Sequence, residues 1–149
     1  MLSFITHRRV YFFFFFINLT FWTPSLSQAG DLYTPAMGTS ERKAIMDALR
    51  PSVEKELHTD VVFKVDHLKV LEGWAFLRGV PQRPDGGKID YRKTIHREAF
   101  EAGAFDDGIS ALLHWKDGVW STIKYNIGAT DVVWEDWPQK YGAPPQIFR

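Results

Sequence analysis

Four histidines lie beyond the first 29 residues: His58, His67, His96 and His114. They are the first candidates for acid–base or metal chemistry. None is spaced as H-x-H or H-E-x-x-H, the patterns that bring two imidazoles to one side of an element, so no metal is assigned. His114 alternates with Leu112 and Lys116 and reads as a structural histidine in a strand. His96, flanked by Lys93 and Arg97, is either a base or a solvated surface residue. A serine nucleophile needs a strained turn, and the nearest approach is Gly108-Ile109-Ser110-Ala111-Leu112. It lacks the second glycine of G-x-S-x-G and opens a strand. Neither a P-loop nor a Rossmann fingerprint occurs, so no nucleotide cofactor is assigned.

Carboxylates cluster at Asp106-Asp107 and at Asp131, Glu135 and Asp136. Asp131 and Glu135 are four apart and share one face if that segment is helical. Such a pair can do acid–base work or hold a hard cation. The plainer reading is a capping aspartate followed by a solvated acidic turn. Asp85-Gly86-Gly87-Lys88-Ile89-Asp90 lacks the alternating acids and closing glutamate of a calcium loop. Catalytic residues therefore stay unassigned.

Binding chemistry has better candidates. Residues 78–97 carry six cations, Arg92 among them, against two acids, a local excess of +4. Such a stretch steers anionic lipid headgroups or sugar acids, or protects a strand edge. Trp134, Trp137 and Tyr141 can form an aromatic shelf for protein or glycan, or lock a last helix onto the core. With His96 and Arg92 they make up the candidate binding set.

These residues are held in a chain of 149, with 18 Lys+Arg, 18 Asp+Glu and no cysteine. Zero net charge gives no argument for nucleic acid. The missing cysteine removes disulfides, thiolate metal sites and a cysteine nucleophile. Residues 1–29 stand apart: His7, Arg8 and Arg9, an apolar run over 10–22 that includes five consecutive Phe, Pro24, then Ser27 and Ala29 at small-x-small spacing. That is the pattern of a secretory signal, cleaved near Ala29. The run is 13 residues, against about 20 needed to span a bilayer. Residues 30–149 keep every acid, lose Arg8 and Arg9, and carry a net charge of −2.

Residues 30–38 read as a leader and 39–149 as one α+β domain. Thr39 or Ser40 caps a helix whose Ile45, Ala48, Leu49, Val53 and Leu57 fall on one face. Pro51 predicts a kink or two abutting helices. Residues 61–70 alternate with a phase change at Asp66-His67, which predicts a bulge. Glu72-Gly73 turns into a second strand from Trp74. Ile89 and Tyr91 suit a short third strand, and 98–102 a brief helix closed by Gly103. Asp117-Gly118 joins two alternating runs as a hairpin, with Trp115 opposite Trp120 and Leu112 opposite Ile123. Ile123 and Tyr125 are placed with Leu112 on the face away from Ala111. A last helix carries Val133, Trp134 and Trp137 and stops at Pro138, with an extended tail. The architecture expected is an N-terminal helix packed on a curved antiparallel sheet of about four strands, with a short C-terminal helix.

The stretches Lys116-Asp117-Gly118-Val119-Trp120, Ile127-Gly128-Ala129-Thr130-Asp131-Val132, Ala48-Leu49-Arg50-Pro51 and Trp74-Ala75-Phe76 resemble a family of small exported, periplasmic proteobacterial proteins without an assigned activity. The resemblance implies export and brings no catalytic residues. The helix-on-sheet architecture is similar to cystatin-like folds by analogy alone. The function expected is that of a periplasmic, non-catalytic binding or envelope-associated protein, with an envelope protein, a glycan or an anionic lipid as partner. Two alternatives stand beside it: an acid–base enzyme using His96 or His114 with a carboxylate in a cone-shaped pocket, and a hydrolase inhibitor presenting the loop 81–87.

Overall fold

A computed structural model describes residues 30–149. The expected signal and its cleavage site lie outside the described residues.

Helix α1 spans Ser40–Leu57. Thr39 caps it, its hydroxyl oxygen accepting from the Arg42 amide, and Glu41 sits in the first turn, where the helix dipole favours an acid. Ile45, Leu49, Val53 and Leu57 recur every four residues and are all buried. Two abutting helices do not form at Pro51; one helix runs through it. The proline removes one backbone hydrogen bond and costs about 3 kcal/mol. Each of the four buried side chains returns about 1.5–3 kcal/mol, and they lie on both sides of Pro51, so the helix holds together across it.

Four antiparallel strands follow in simple up-and-down order: β1 (Val62–Leu71), β2 (Trp74–Gln82), β3 (Ile109–Lys116) and β4 (Val119–Ile127). Glu72-Gly73 and Asp117-Gly118 form the two-residue turns, with both residues of each pair at positive φ, as the hairpin reading requires. The bulge expected near Asp66-His67 is present, with the register shifting between Val65 and His67. It turns Leu68 and Val70 back to the face already used by Val61 and Val65, so this face of β1 feeds one core from end to end. Gly79, opposite Val65, is forced by this geometry: a Cβ there would stand 2.3 Å from the Lys64 carbonyl oxygen.

A second bulge was not foreseen. Trp115 does face Trp120, but Leu112 pairs with Lys124 and Leu113 with Thr122, leaving Ile123 as the extra residue. The slip turns Tyr125 to the helix side, where it packs with Trp120 and Ile127, and not onto the Leu112 face as expected. Ile89 and Tyr91 make no third strand either. Lys88 forms an isolated bridge with Gln82, and Tyr91 enters a 3-10 turn (Tyr91–Lys93) that buries its ring. Helix α2 (Arg97–Glu101) is brief, as the sequence indicates.

The C-terminal segment covers the opposite face of the sheet. Its helix α3 is Trp137–Tyr141, so Pro138 stands in the first turn rather than at the stop. Proline suits that position because the first amides of a helix have no intrahelical acceptor. The tail is not extended: Pro145–Phe148 form a 3-10 turn that buries Ile147 completely, and the Ile147 carbonyl lies 2.8 Å from His67 Nε2. Two cores result. One lies between α1 and the sheet; the other gathers Leu71, Phe76, Leu112, Trp137, Ala143 and Ile147 beneath the C-terminal segment. No helix among the described residues is long and apolar enough to cross a membrane.

Candidate functional site

On the helix side the sheet offers apolar side chains almost throughout. The other face is divided. Around Phe76 and Leu112 it is a packed core. Two residues further along, the same phase of β2, β3 and β4 presents Arg78, Ser110 and Asn126. Arg78 pairs with Ser110, and Ser110 with Asn126, so the three form one polar row across the sheet. The row reaches β1 at His67, whose Nε2 is taken by the tail.

A cleft of about 430 Å³ lies above this row. Arg78, Ser110 and Asn126 line it, and so do Trp134, Asp131 and Asp106. Loop geometry fixes the walls. The Asp106 amide donates to the Gly128 carbonyl, the Gly128 amide donates to the Gly108 carbonyl at 3.0 Å, and Asp106 Oδ1 accepts from the Gly108 amide at 2.7 Å. Gly128 must be glycine: its φ is +86°, and a Cβ would stand 2.0 Å from the Phe105 ring. Arg78 is exposed, and its guanidinium lies 5.2 Å from the Trp134 ring centre in a cation–π contact. It enters no ion pair among the described residues. Ser110 is only 8% exposed. Asn126 Oδ1 is shut away from solvent and accepts no hydrogen bond. A buried acceptor without a donor costs about 1–3 kcal/mol, so it is an unusual thing to place on a sheet.

The residues singled out in the sequence are scattered. Trp134 lines the cleft. Trp137, 3% exposed, is core, and Tyr141 packs beside it, so the aromatic shelf is mostly a lock for α3. Arg92 points into solvent and pairs with Asp90 at 3.1 Å. His96 lies on the far side of the sheet with α1, where its Nε2 is 2.8 Å from Glu56 Oε1 while Glu56 Oε2 accepts from the Tyr125 hydroxyl at 2.6 Å. A histidine and a carboxylate do meet there, but the rings of Tyr91 and Phe105 pack against the imidazole. The unit joins α1, β4 and the start of α2. His114 stacks on Trp74, ring centres 4.2 Å apart.

Four of the six cations of the basic stretch have an acidic partner, while the excess of positive charge remains: Arg83 pairs with Asp85, Arg92 and Lys93 with Asp90, and Arg97 with Glu101 beyond the stretch. Hydrogen bonds from Arg83 and Arg92 hold the Asp85 and Asp90 carboxyls below the usual carboxylate range. Asp131 and Glu135 do not share a helix face, because α3 begins only at Trp137. Asp131 instead joins Asp106, from the other acidic cluster, at the cleft. Among the described residues no three His, Asp or Glu side chains converge as metal ligands.

No family model, curated protein or solved structure matches the chain. The site therefore rests on its own geometry. Sequence reasoning missed Arg78, Ser110 and Asn126 as a group. Their signal is a polar residue two places beyond Phe76 in β2 and two places before Leu112 in β3, joined by Asn126 only once the bulge at Ile123 is known.

Proposed function

We propose that this chain is an exported, periplasmic protein that binds a small polar ligand without catalysis, and that the cleft over Arg78, Ser110 and Asn126 is its binding site. The observation that carries this reading is the polar row itself. Three hydrogen-bonding side chains form a row across the sheet face, two of them in phase with the core residues Phe76 and Leu112 and the third, Asn126, with a buried, unpartnered acceptor. Sheet stability gains nothing from that arrangement, whereas a ligand whose oxygens accept from Arg78 and Ser110 does. Export rests on the basic, apolar, small-x-small pattern of residues 1–29 and on the resemblance to exported proteobacterial proteins.

Two measurements test the proposal. A periplasmic reporter fused after Arg149 should be active, and the purified native chain should begin at Gly30 by intact mass. The side-chain NMR signals of Arg78 and Asn126 should then be followed while inorganic phosphate, glutamate, putrescine, glucose and N-acetylglucosamine are added in turn. A saturable shift at both signals for at least one compound class supports the cleft. Shifts with none of them, or only at distant residues, overturn it.

A further inference from the structure

We infer that a groove on the α1 side of the sheet is a separate binding site, and that it takes an organic cation, an ammonium group on an apolar body. It lies on the opposite face of the sheet from Arg78 and owes nothing to the reading of that cleft.

The groove has a volume of about 570 Å³ and lies between the start of α1, the β1–β2 turn, the end of β3 and the start of β4. Backbone hydrogen bonds set its walls. The Tyr33 amide donates to the Val70 carbonyl at 3.0 Å, and the Val70 amide donates to the Tyr33 carbonyl at 2.8 Å, which lays the segment before α1 along β1. The Trp115 amide donates to the Gly73 carbonyl at 2.7 Å, which brings the turn carrying Glu72 beside Trp115. Three aromatic side chains, Tyr33, Trp115 and Trp120, and two carboxylates, Glu41 and Glu72, line the space so formed. The two indoles stand 5.7 Å apart and are tilted by 58°. Trp115 is 44% exposed, although Trp120 beside it is buried. The Tyr33 hydroxyl donates to Glu41 Oε1 at 2.7 Å, which holds that ring and that carboxylate together.

The charge in this lining has one sign. Among the described residues no lysine, arginine or histidine lines the groove, and neither Glu41 nor Glu72 enters an ion pair. Glu41 is partly answered by the positive end of α1, so Glu72 carries most of the unmet charge. An anion would meet two carboxylates and no cation. A zwitterion would bring its own carboxylate against them. A saccharide would stack on an indole and leave both charges without a counter-ion. A neutral apolar body would cover the rings but take water from the carboxylates and give nothing in return. A cation on an apolar body serves both kinds of wall. The ring faces attract positive charge through their quadrupole, tryptophan most strongly, and the carboxylates supply the counter-charge. Ala44 and Val70 add aliphatic surface for its methylenes. The volume, about 570 Å³, lies within the roughly 300–1,000 Å³ range of small-molecule sites.

The test follows the indole N–H signals of Trp115 and Trp120 by NMR in the processed chain, at constant ionic strength. The cations are choline and benzyltrimethylammonium. The comparators for choline are the alcohol in which tert-butyl replaces trimethylammonium, the matching carboxylate, and the zwitterion glycine betaine. The expected result is a saturable shift of both indoles by at least one cation, with binding about tenfold weaker for every comparator. Glu72→Gln should weaken the cation about threefold, and Trp115→Leu about fivefold. Both residues are exposed, so both variants keep the fold; the backbone amide spectrum and the urea midpoint check this. An alcohol that binds as tightly as choline would show a merely apolar groove and overturn the inference. Equal binding of the zwitterion or the carboxylate overturns the ligand class, and cation binding that neither variant weakens overturns the site. Silence from both cations overturns the inference too, including the case in which the chain's own amino end at Gly30, which lines the rim, fills the groove. Each of these failures leaves the cleft over Arg78 untouched, because the signals read here belong to the other face.

Discussion

The two faces of the sheet solve the same problem differently. On the α1 side every polar group that enters the interface is matched: the Thr122 hydroxyl donates to the Ala48 carbonyl at 3.0 Å, and Glu56 serves both Tyr125 and His96. On the other side, the part under the C-terminal segment is packed, but the part beyond it keeps Arg78, Ser110 and Asn126 with fewer internal partners than they can use. A sheet made only for stability would resemble its α1 face on both sides. Under the binding role proposed above, the difference marks where folding has been compromised for recognition.

The largest test of that contrast is Phe76→Ala. Phe76 is fully buried and touches Trp134, Trp137 and Phe148 by its ring. Its loss should cost about 3–5 kcal/mol in urea denaturation. Hydrogen exchange should speed up at residues 145–148 before it does in α1. Equal loosening of α1 would mean that the two layers do not behave separately.

Tyr125→Phe probes the matched face. It removes the donor to Glu56 and should cost about 1–2 kcal/mol. It should also reduce an alkaline transition. Burial, then the neighbouring Glu56, pushes the Tyr125 hydroxyl up to about 12; burial, then Glu41, does the same for Tyr33. Burial followed by Asp107 and Asp106 raises Tyr91 as well. All three keep their protons in the folded state while the unfolded chain releases them from about pH 10. Their contribution is thus complete below pH 10 and is lost as the pH rises towards 12. Urea midpoints across that window, with tyrosinate absorbance, measure it. A flat profile would contradict the burial of Tyr91 and the contact of the Tyr125 hydroxyl with Glu56.

Asn126→Leu reverses the sign. Removing a buried acceptor without a partner should raise stability by about 1 kcal/mol. A loss of stability would show that Asn126 is structural. The smallest effect belongs to Arg78→Gln, which should change stability by less than about 0.5 kcal/mol and still weaken the cleft's ligand.

Local chemistry carried much of the fold into the sequence. Asp117-Gly118 marks its hairpin because both residues accept positive φ, and the phase change at Asp66-His67 marks its bulge because alternation must fail there. The bulge at Ile123 left no such mark. Val119, Trp120, Ile123 and Tyr125 fit an unbroken strand as well as a bulged one, and only packing against α1 decides. Pro138 suggests a stop yet stands in the first turn of a helix, since a proline signals a helix end of either kind. Of the candidate site, Trp134 is legible as a binding residue, and Asp106, Asp131 and Ser110 only as members of separate motifs. Arg78, Ser110 and Asn126 come together through hydrogen-bonded registers spanning almost fifty positions of chain, which no spacing rule reads.

The position of Ile147 bears on what can be cut away or attached nearby. Arg149 is free in solvent, yet two residues earlier the backbone is seated on His67 and the side chain is sealed in. A protease working inward past Arg149 would meet a closed door at Ile147. If it passed that point, the ring of Phe76 would be laid bare and neighbouring molecules would have a sticky spot on which to clump. An affinity handle fused after Arg149 is harmless for the same reason that deleting the last five residues is not.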